Sequence, residues 1–285
     1  MEVFMEELQP RNMIFLFCRI HFVDLFGIES KKNFYSNLIK MQNQKENVRK
    51  FYWAFGDVGK VDIDNHELVY GRLGKTAKER FETVYNEEKH SYSKELIKIN
   101  SSNYSNFFIL PEYNAIAFEE KYTISRNQFI KNFQKMWIET TSSEIAFEYL
   151  LDEIEAYDLI KSWDKIYSAT FKLVPTNPSS REDFAPLDKF IQVTRATRAK
   201  FVFENKENGL NFEDSAVSQG VSMSSAGYGD FDVKGKKGNS GAHVTSKGLQ
   251  IKRDLVQIDD LSVMSVPMMK EILNIVKVMN KNGKK

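Results

Sequence analysis

Apolar positions along this chain come in short blocks, and their spacing switches repeatedly between the strand period of two and the helix period of three to four. Residues 14–23 are dense in Phe and Ile, the composition of a buried strand. Ser30 stands where a helix cap is expected, and Phe34, Leu38 and Met41 then repeat on one helical face. Residues 51–58 predict a second strand. Residues 60–70 alternate around Asp64-Asn65, as a hairpin does. Residues 72–104 are polar and weakly periodic, and predict a helix-containing excursion or a long loop. Apolar runs at 107–110 and 115–119 flank Pro111-Glu112-Tyr113-Asn114 and predict a hairpin. Ser125 is placed to cap a helix whose apolar face is Phe129, Phe133, Met136 and Trp137.

A short polar break at residues 140–143 divides this half from the next. Beyond it the pattern predicts a strand at 145–151, a helix at 154–163 and a strand at 165–174. Residues 175–186 hold three of the six prolines and predict a loop. Pro186 suits the first turn of a helix running to about Arg198. Another strand follows at 199–203, and a helix at 267–280 leads into a basic tail. The fold class expected is therefore α+β, in two domains (residues 1–141 and 142–285), each a mainly antiparallel sheet covered by helices.

Composition supports a globular chain and narrows little else. The 285 residues suit two domains of ordinary size, at roughly 100–200 residues each. Hydrophobic residues make up 42% and charged residues 28%, enough for a core and against disorder. Net charge is +1, so any polyanion surface must be a local patch. The single cysteine, Cys18, has no partner for an internal disulfide and reads as a buried small hydrophobe, as expected of a cytoplasmic protein. The longest apolar stretch near the start is interrupted by Arg19, His21 and Asp24, and the acidic Glu2, Glu6 and Glu7 do not suit a secretory signal. No export and no membrane span are expected.

One segment departs from this average. Eight of the fourteen glycines fall between Gly209 and Gly248, and residues 233–253 carry Lys234, Lys236, Lys237, Lys247, Lys252 and Arg253 with no acid among them. Glycine lets backbone amides approach an anion, lysine neutralises phosphate, and Tyr228 and Phe231 just upstream could stack on bases. The run Ala226-Gly227-Tyr228-Gly229-Asp230-Phe231 loosely follows the RNA-recognition sheet motif but lacks its leading basic residue and puts Asp230 at an aromatic position. The alternative is a glycine-rich hairpin whose lysines keep a sheet edge soluble. On the helix after Pro186, Lys189, Gln192, Arg195 and Arg198 recur every third residue, either as a stripe along a nucleic-acid backbone or as a solvated face.

Other motifs carry less. Gly71-Arg72-Leu73-Gly74-Lys75-Thr76 has two residues where a phosphate loop needs four before its Gly-Lys-Thr. Glu112, Glu119, Glu120 and Lys121 have the residue types of a metal-dependent nuclease, but they flank a hairpin turn. No histidine lies three or four residues from another, and His21, three residues from Cys18, has no second ligand pair to accompany it, so no zinc motif, other metal site or cofactor site is expected.

The order of elements resembles RexA-type phage-exclusion proteins. The hairpin around Asp64, the polar excursion, the 107–119 hairpin and the Ser125 helix resemble their first half, and the late Lys/Gly segment with its terminal amphipathic helix resembles their ending. The resemblance implies a homodimeric, non-enzymatic DNA-binding protein of abortive infection, an antiviral defence, with no functional residue carried over by position. The reading reached is a nucleic-acid-binding subunit of a prokaryotic antiphage system, contacting duplex DNA through Tyr228, the six basic residues of 233–253, Arg195 and Arg198. Two alternatives stand beside it: an interaction module that holds a partner protein encoded nearby, and a nuclease whose metal site is not evident.

Overall fold

The computed structural model of the protein describes residues 11–22, 33–88, 90–97, 101–176, 181–257 and 265–281. The expected α+β class is observed, in two principal antiparallel sheets and a separate two-stranded hairpin. Among the described residues no helix is long and apolar enough to cross a membrane.

The larger sheet is organised around β1 (Arg11–Phe22). Its strand order is β14 (Lys252–Gln257), β1, β8 (Ala115–Glu119), β7 (Ser102–Leu110), β4 (His66–Ala77), β3 (Phe51–Ile63) and β2 (Glu46–Val48). One edge of β1 pairs with β8. The other is shared in succession by β14 along residues 11–16 and by β9 (Ile145–Tyr149) along 18–22. β1 is apolar on both faces because both are covered. Leu16, Cys18 and Ile20 pack with Phe34 and Leu38 of α1 (Phe34–Gln42) and with Phe129, Phe133 and Trp137 of α2 (Arg126–Thr141). Met13, Phe15 and Phe17 meet Met269, Ile272 and Val276 of α6 (Val266–Lys281) on the opposite face. Burial raises the Cys18 thiol well above its ordinary value, as suits an inert core residue.

The smaller sheet runs β11 (Ala199–Glu204), β10 (Lys165–Leu173), β12 (Gly229–Lys237) and β13 (Ser240–Thr245). Helices α3 (Glu153–Lys161), α4 (Ala185–Val193) and α5 (Ala216–Ser225) supply its core partners, including Ile160, Ile191 and Val221.

Several expectations are met closely. The Asp64-Asn65 turn joins β3 to β4, with φ of 51° and 63° that a tight hairpin turn demands. Ser125 and Gln128 form a reciprocal capping box at the start of α2. Other expectations need correction. Residues 72–104 hold no helix among those described: β4 continues to Ala77, and β5 (Arg80–Asn86) and β6 (Ser91–Ile97) form the separate hairpin before β7. Its alternation is faint because neither of its faces is buried in a core. The helix after Pro186 ends at Val193 rather than near Arg198, because Arg195 takes a left-handed backbone, φ 54°. The polar break at 140–143 does not coincide with the division between sheets, since β9, β14 and α6 all lie beyond it and complete the larger one. Ser30 and the basic tail lie outside the described residues.

The two sheets meet at a buried arginine. Arg19 extends the face of Phe15 and Phe17 beyond α6 and is 6% exposed. Its Nε donates to the Ala226 carbonyl at 2.6 Å, Nη1 to the Tyr113 carbonyl at 3.0 Å, and Nη2 to Asn280 Oδ1 at 3.0 Å. The Tyr228 ring lies 4.7 Å from the guanidinium carbon. Ala226 caps the end of α5, Tyr113 ends a 3-10 turn and Asn280 sits in the last turn of α6, so the cation occupies the negative ends of helical segments. Burial lowers its pKa from the ordinary arginine value. Gly227, at φ 79°, lets the chain pass directly over this residue, since a Cβ there would stand 2.8 Å from Arg19 Cβ.

Replacing Arg19 by Met should cost about 3 kcal/mol or more in urea unfolding, because acceptors on three separate elements lose their donor. Arg19→Lys should recover only a part, as one ammonium cannot span the fork.

Candidate nucleic-acid interface

A concavity of about 840 Å³ lies where the edge of the larger sheet meets α2. Val48 pairs with Phe51, so Arg49 and Lys50 form a two-residue turn between β2 and β3, with Arg49 at φ 51°. Lys75 on β4 lies opposite Trp53 of β3, and its ammonium stands 4.3 Å from the centre of the Phe51 ring. From α2, helical spacing aligns Asn127, Gln128, Lys131, Asn132 and Lys135 along the other wall. Among the lining residues five cations thus meet one carboxylate, Glu46, in a chain of net charge +1, and Glu139 stands 3.9 Å from Lys135 outside that lining. Glu46 accepts from Lys135 Nζ at 2.6 Å, a hydrogen bond that raises the lysine's pKa. Arg49, Lys50 and Lys131 are exposed at the rim. The first turn of α2 adds the positive end of its dipole beside Asn127 and Gln128.

Sequence reasoning missed this groove because its cations are scattered over nearly ninety positions, at most two of them adjacent. Lys75 is the exception. It belongs to the Gly71–Thr76 run considered as a phosphate loop, which is in fact a stretch of β4 with its amides engaged in pairing to β3 and β7. The residue type pointed to an anion, while the surrounding backbone is a strand.

The residues expected to form the interface are separated by the fold. Tyr228 is 5% exposed and wedged among Arg19, His21 and Phe184, leaving it no free face for a base. Lys234 and Lys236 point outward from β12, but so do Asp230 and Asp232, and Asp232 lies 3.8 Å from Lys234 and 3.1 Å from His243. Lys237 reaches Ser162 beside the Gly238 turn of the expected hairpin, and Lys247 is exposed in the 3-10 turn after β13. Lys252 and Arg253 are on β14 of the other sheet, Lys252 at 3.0 Å from Glu120 and Arg253 at 4.0 Å from Asp152. Arg195 follows α4, and Arg198 is 3.6 Å from Glu148. The contiguous basic run therefore does not make a contiguous basic surface.

The nuclease residues also part. Glu112 pairs with His66 at 2.5 Å at the tip of the β7–β8 hairpin, whereas Glu119, at the far end of β8, accepts from Asn106 at 2.7 Å and meets Lys121 at 3.1 Å. Among the described residues no group of three His, Cys, Asp or Glu is arranged to hold a metal ion.

A smaller cleft of about 320 Å³ opens between the sheets, lined by His21, Glu148, Thr176 and Arg198. Burial, reinforced by Asp230 and opposed by Arg198, raises the Glu148 carboxyl to about 7. Burial lowers His21 to about 4, against the hydrogen bond of Nε2 with the Gly227 carbonyl, while Arg19 adds to the lowering. The two act oppositely on stability. Glu148, raised, contributes stability that is complete below its unfolded value of roughly 4.3 and lost as pH rises through about 7. His21, lowered, contributes stability present above roughly 6.5 and lost as pH falls towards 4. The unfolding free energy of Glu148→Gln relative to the wild type should therefore rise between pH 5 and pH 8, as measured by urea titration at each pH.

No curated protein matches the chain. Residues 27–269, which include every groove residue and begin after β1, match the DUF4747 family, described as a domain of unknown function. This span covers well over half of the sequence, and the chain belongs to the DUF4747 family.

Proposed function

We propose that this protein binds nucleic acid through the groove between the β2–β4 edge and α2, and that binding rather than bond cleavage is its activity. The observation that carries the reading is the convergence of Arg49, Lys50, Lys75, Lys131 and Lys135 on one concavity whose lining holds a single carboxylate, Glu46, with Glu139 beside Lys135. Cations gathered in a groove release condensed counterions from a phosphate backbone, which supplies most of the affinity and makes it fall with salt. The backbone amide of Asn127 in the first turn and the dipole of α2 suit the same oxygens. The resemblance in layout to RexA-type proteins supports an antiphage setting, with a partner protein encoded alongside; loss of phage protection in a plaque assay on mutating the groove would bear that out.

Anisotropy of labelled oligonucleotides, titrated across sodium chloride concentrations, tests the reading. Arg49→Glu, Lys50→Glu and Lys131→Glu combined should weaken binding at least tenfold and flatten the salt slope by about two to three, one phosphate contact for each lost cation. The same charge reversal at Lys234, Lys236 and Lys237 should have a smaller effect. Absence of binding at low salt, or binding lost through the β12 lysines alone, would overturn the assignment.

A further inference from the structure

The β5–β6 hairpin forms a two-stranded sheet of its own, outside the strand order of both principal sheets. Its register sets Phe81 opposite Leu96, Thr83 opposite Lys94 and Tyr85 opposite Tyr92. Alternation puts these six side chains on one face. Phe81 is 71% exposed and Tyr92 75%, with Tyr85 and Leu96 also exposed, so three aromatic rings are held out in solvent along one ribbon. A two-stranded ribbon is marginally stable in water, and a contiguous exposed aromatic face usually marks a contact surface.

The position of the hairpin identifies what it contacts. β5 starts three residues after the end of β4, the strand that carries Lys75 into the groove. The Lys78 amide donates to the Lys50 carbonyl at 2.9 Å, which ties the foot of the hairpin to the groove's rim. Phe81 is three residues further on, within about 10 Å of chain. An aromatic ladder thus rises directly from a cationic groove. Single strands present unstacked bases to aromatic rings, whereas duplex bases already cover one another.

We propose that the β5–β6 hairpin is a stacking arm, and that the ligand of the groove is single-stranded nucleic acid. This inference rests on the groove being the binding surface. Lys94 on the same face adds a cation for the backbone, and the Tyr85 and Tyr92 rings, with centroids 5.1 Å apart, form the outer step of the ladder.

The test compares a labelled single-stranded oligonucleotide with the corresponding duplex. Phe81→Ala, Tyr85→Ala and Tyr92→Ala together should lower single-strand affinity tenfold or more while leaving the salt slope unchanged and duplex affinity within twofold. Tyr85→Trp with Tyr92→Trp should retain single-strand binding, which separates loss of stacking from loss of the hairpin. If the alanine variant binds single strands like the wild type while charge reversal in the groove abolishes binding, the arm is refuted and the groove stands. If neither set of changes matters, the groove reading falls as well. If sedimentation shows a wild-type dimer that the alanine variant dissociates, with single-strand affinity unaltered, the face is a seam between two copies and the proposal is wrong.

Discussion

A guanidinium removed from water must be compensated in place, and the position of Arg19 dictates much of what surrounds it. Compensation comes from dipoles and a ring: carbonyls at the ends of α5 and of the Pro111–Tyr113 turn, the side-chain amide oxygen of Asn280 on α6 and the face of Tyr228 share the charge. Those acceptors come from both halves of the chain. The arginine therefore couples the β7–β8 tip, the α5–β12 turn and the terminal helix to one strand. It also explains why Gly227 and Tyr228, which looked like a surface motif, are interior: the tyrosine is needed as a wall against the cation, and the glycine permits the close approach.

With the centre occupied in this way, the chemistry available to a partner lies at the periphery. At the far edge of the larger sheet, a short strand, a tight turn and a helix wall bring separate cations together, and a ribbon of aromatic residues leaves from the same rim. Charge and aromatic surface are complementary requirements for a flexible polyanion, since one tracks the backbone and the other the bases. The cleft between the sheets is of a different kind. Its Glu148 and His21 titrate away from their ordinary values because they are enclosed at the junction, and their opposite effects on stability partly cancel between roughly pH 4.3 and 6.5.

How far the sequence was legible depends on burial. Strand β1, helices α1 and α2 and the Asp64 and Pro111 turns were readable because a buried face enforces strict periodicity and a tight turn enforces its residues. The β5–β6 hairpin was not, because with both faces in solvent Phe81, Tyr85 and Tyr92 sit among charged neighbours that blur the alternation. The end of α4 was misread because Arg195 is an unusual residue for a left-handed cap, where Gly or Asn is commoner.

By itself, the sequence determined the α+β class and many of the local elements with a buried face, since these follow from propensity and from spacing within ten or twenty residues. Tertiary structure alone decided which strands share a sheet and which charges share a surface. Lys234 and Lys252 are close in sequence but belong to different sheets, while Lys50 and Lys131 are far apart in sequence and line one groove. Electrostatic potential sums over distance in space, and distance in space is set by long-range strand pairing that no local pattern encodes.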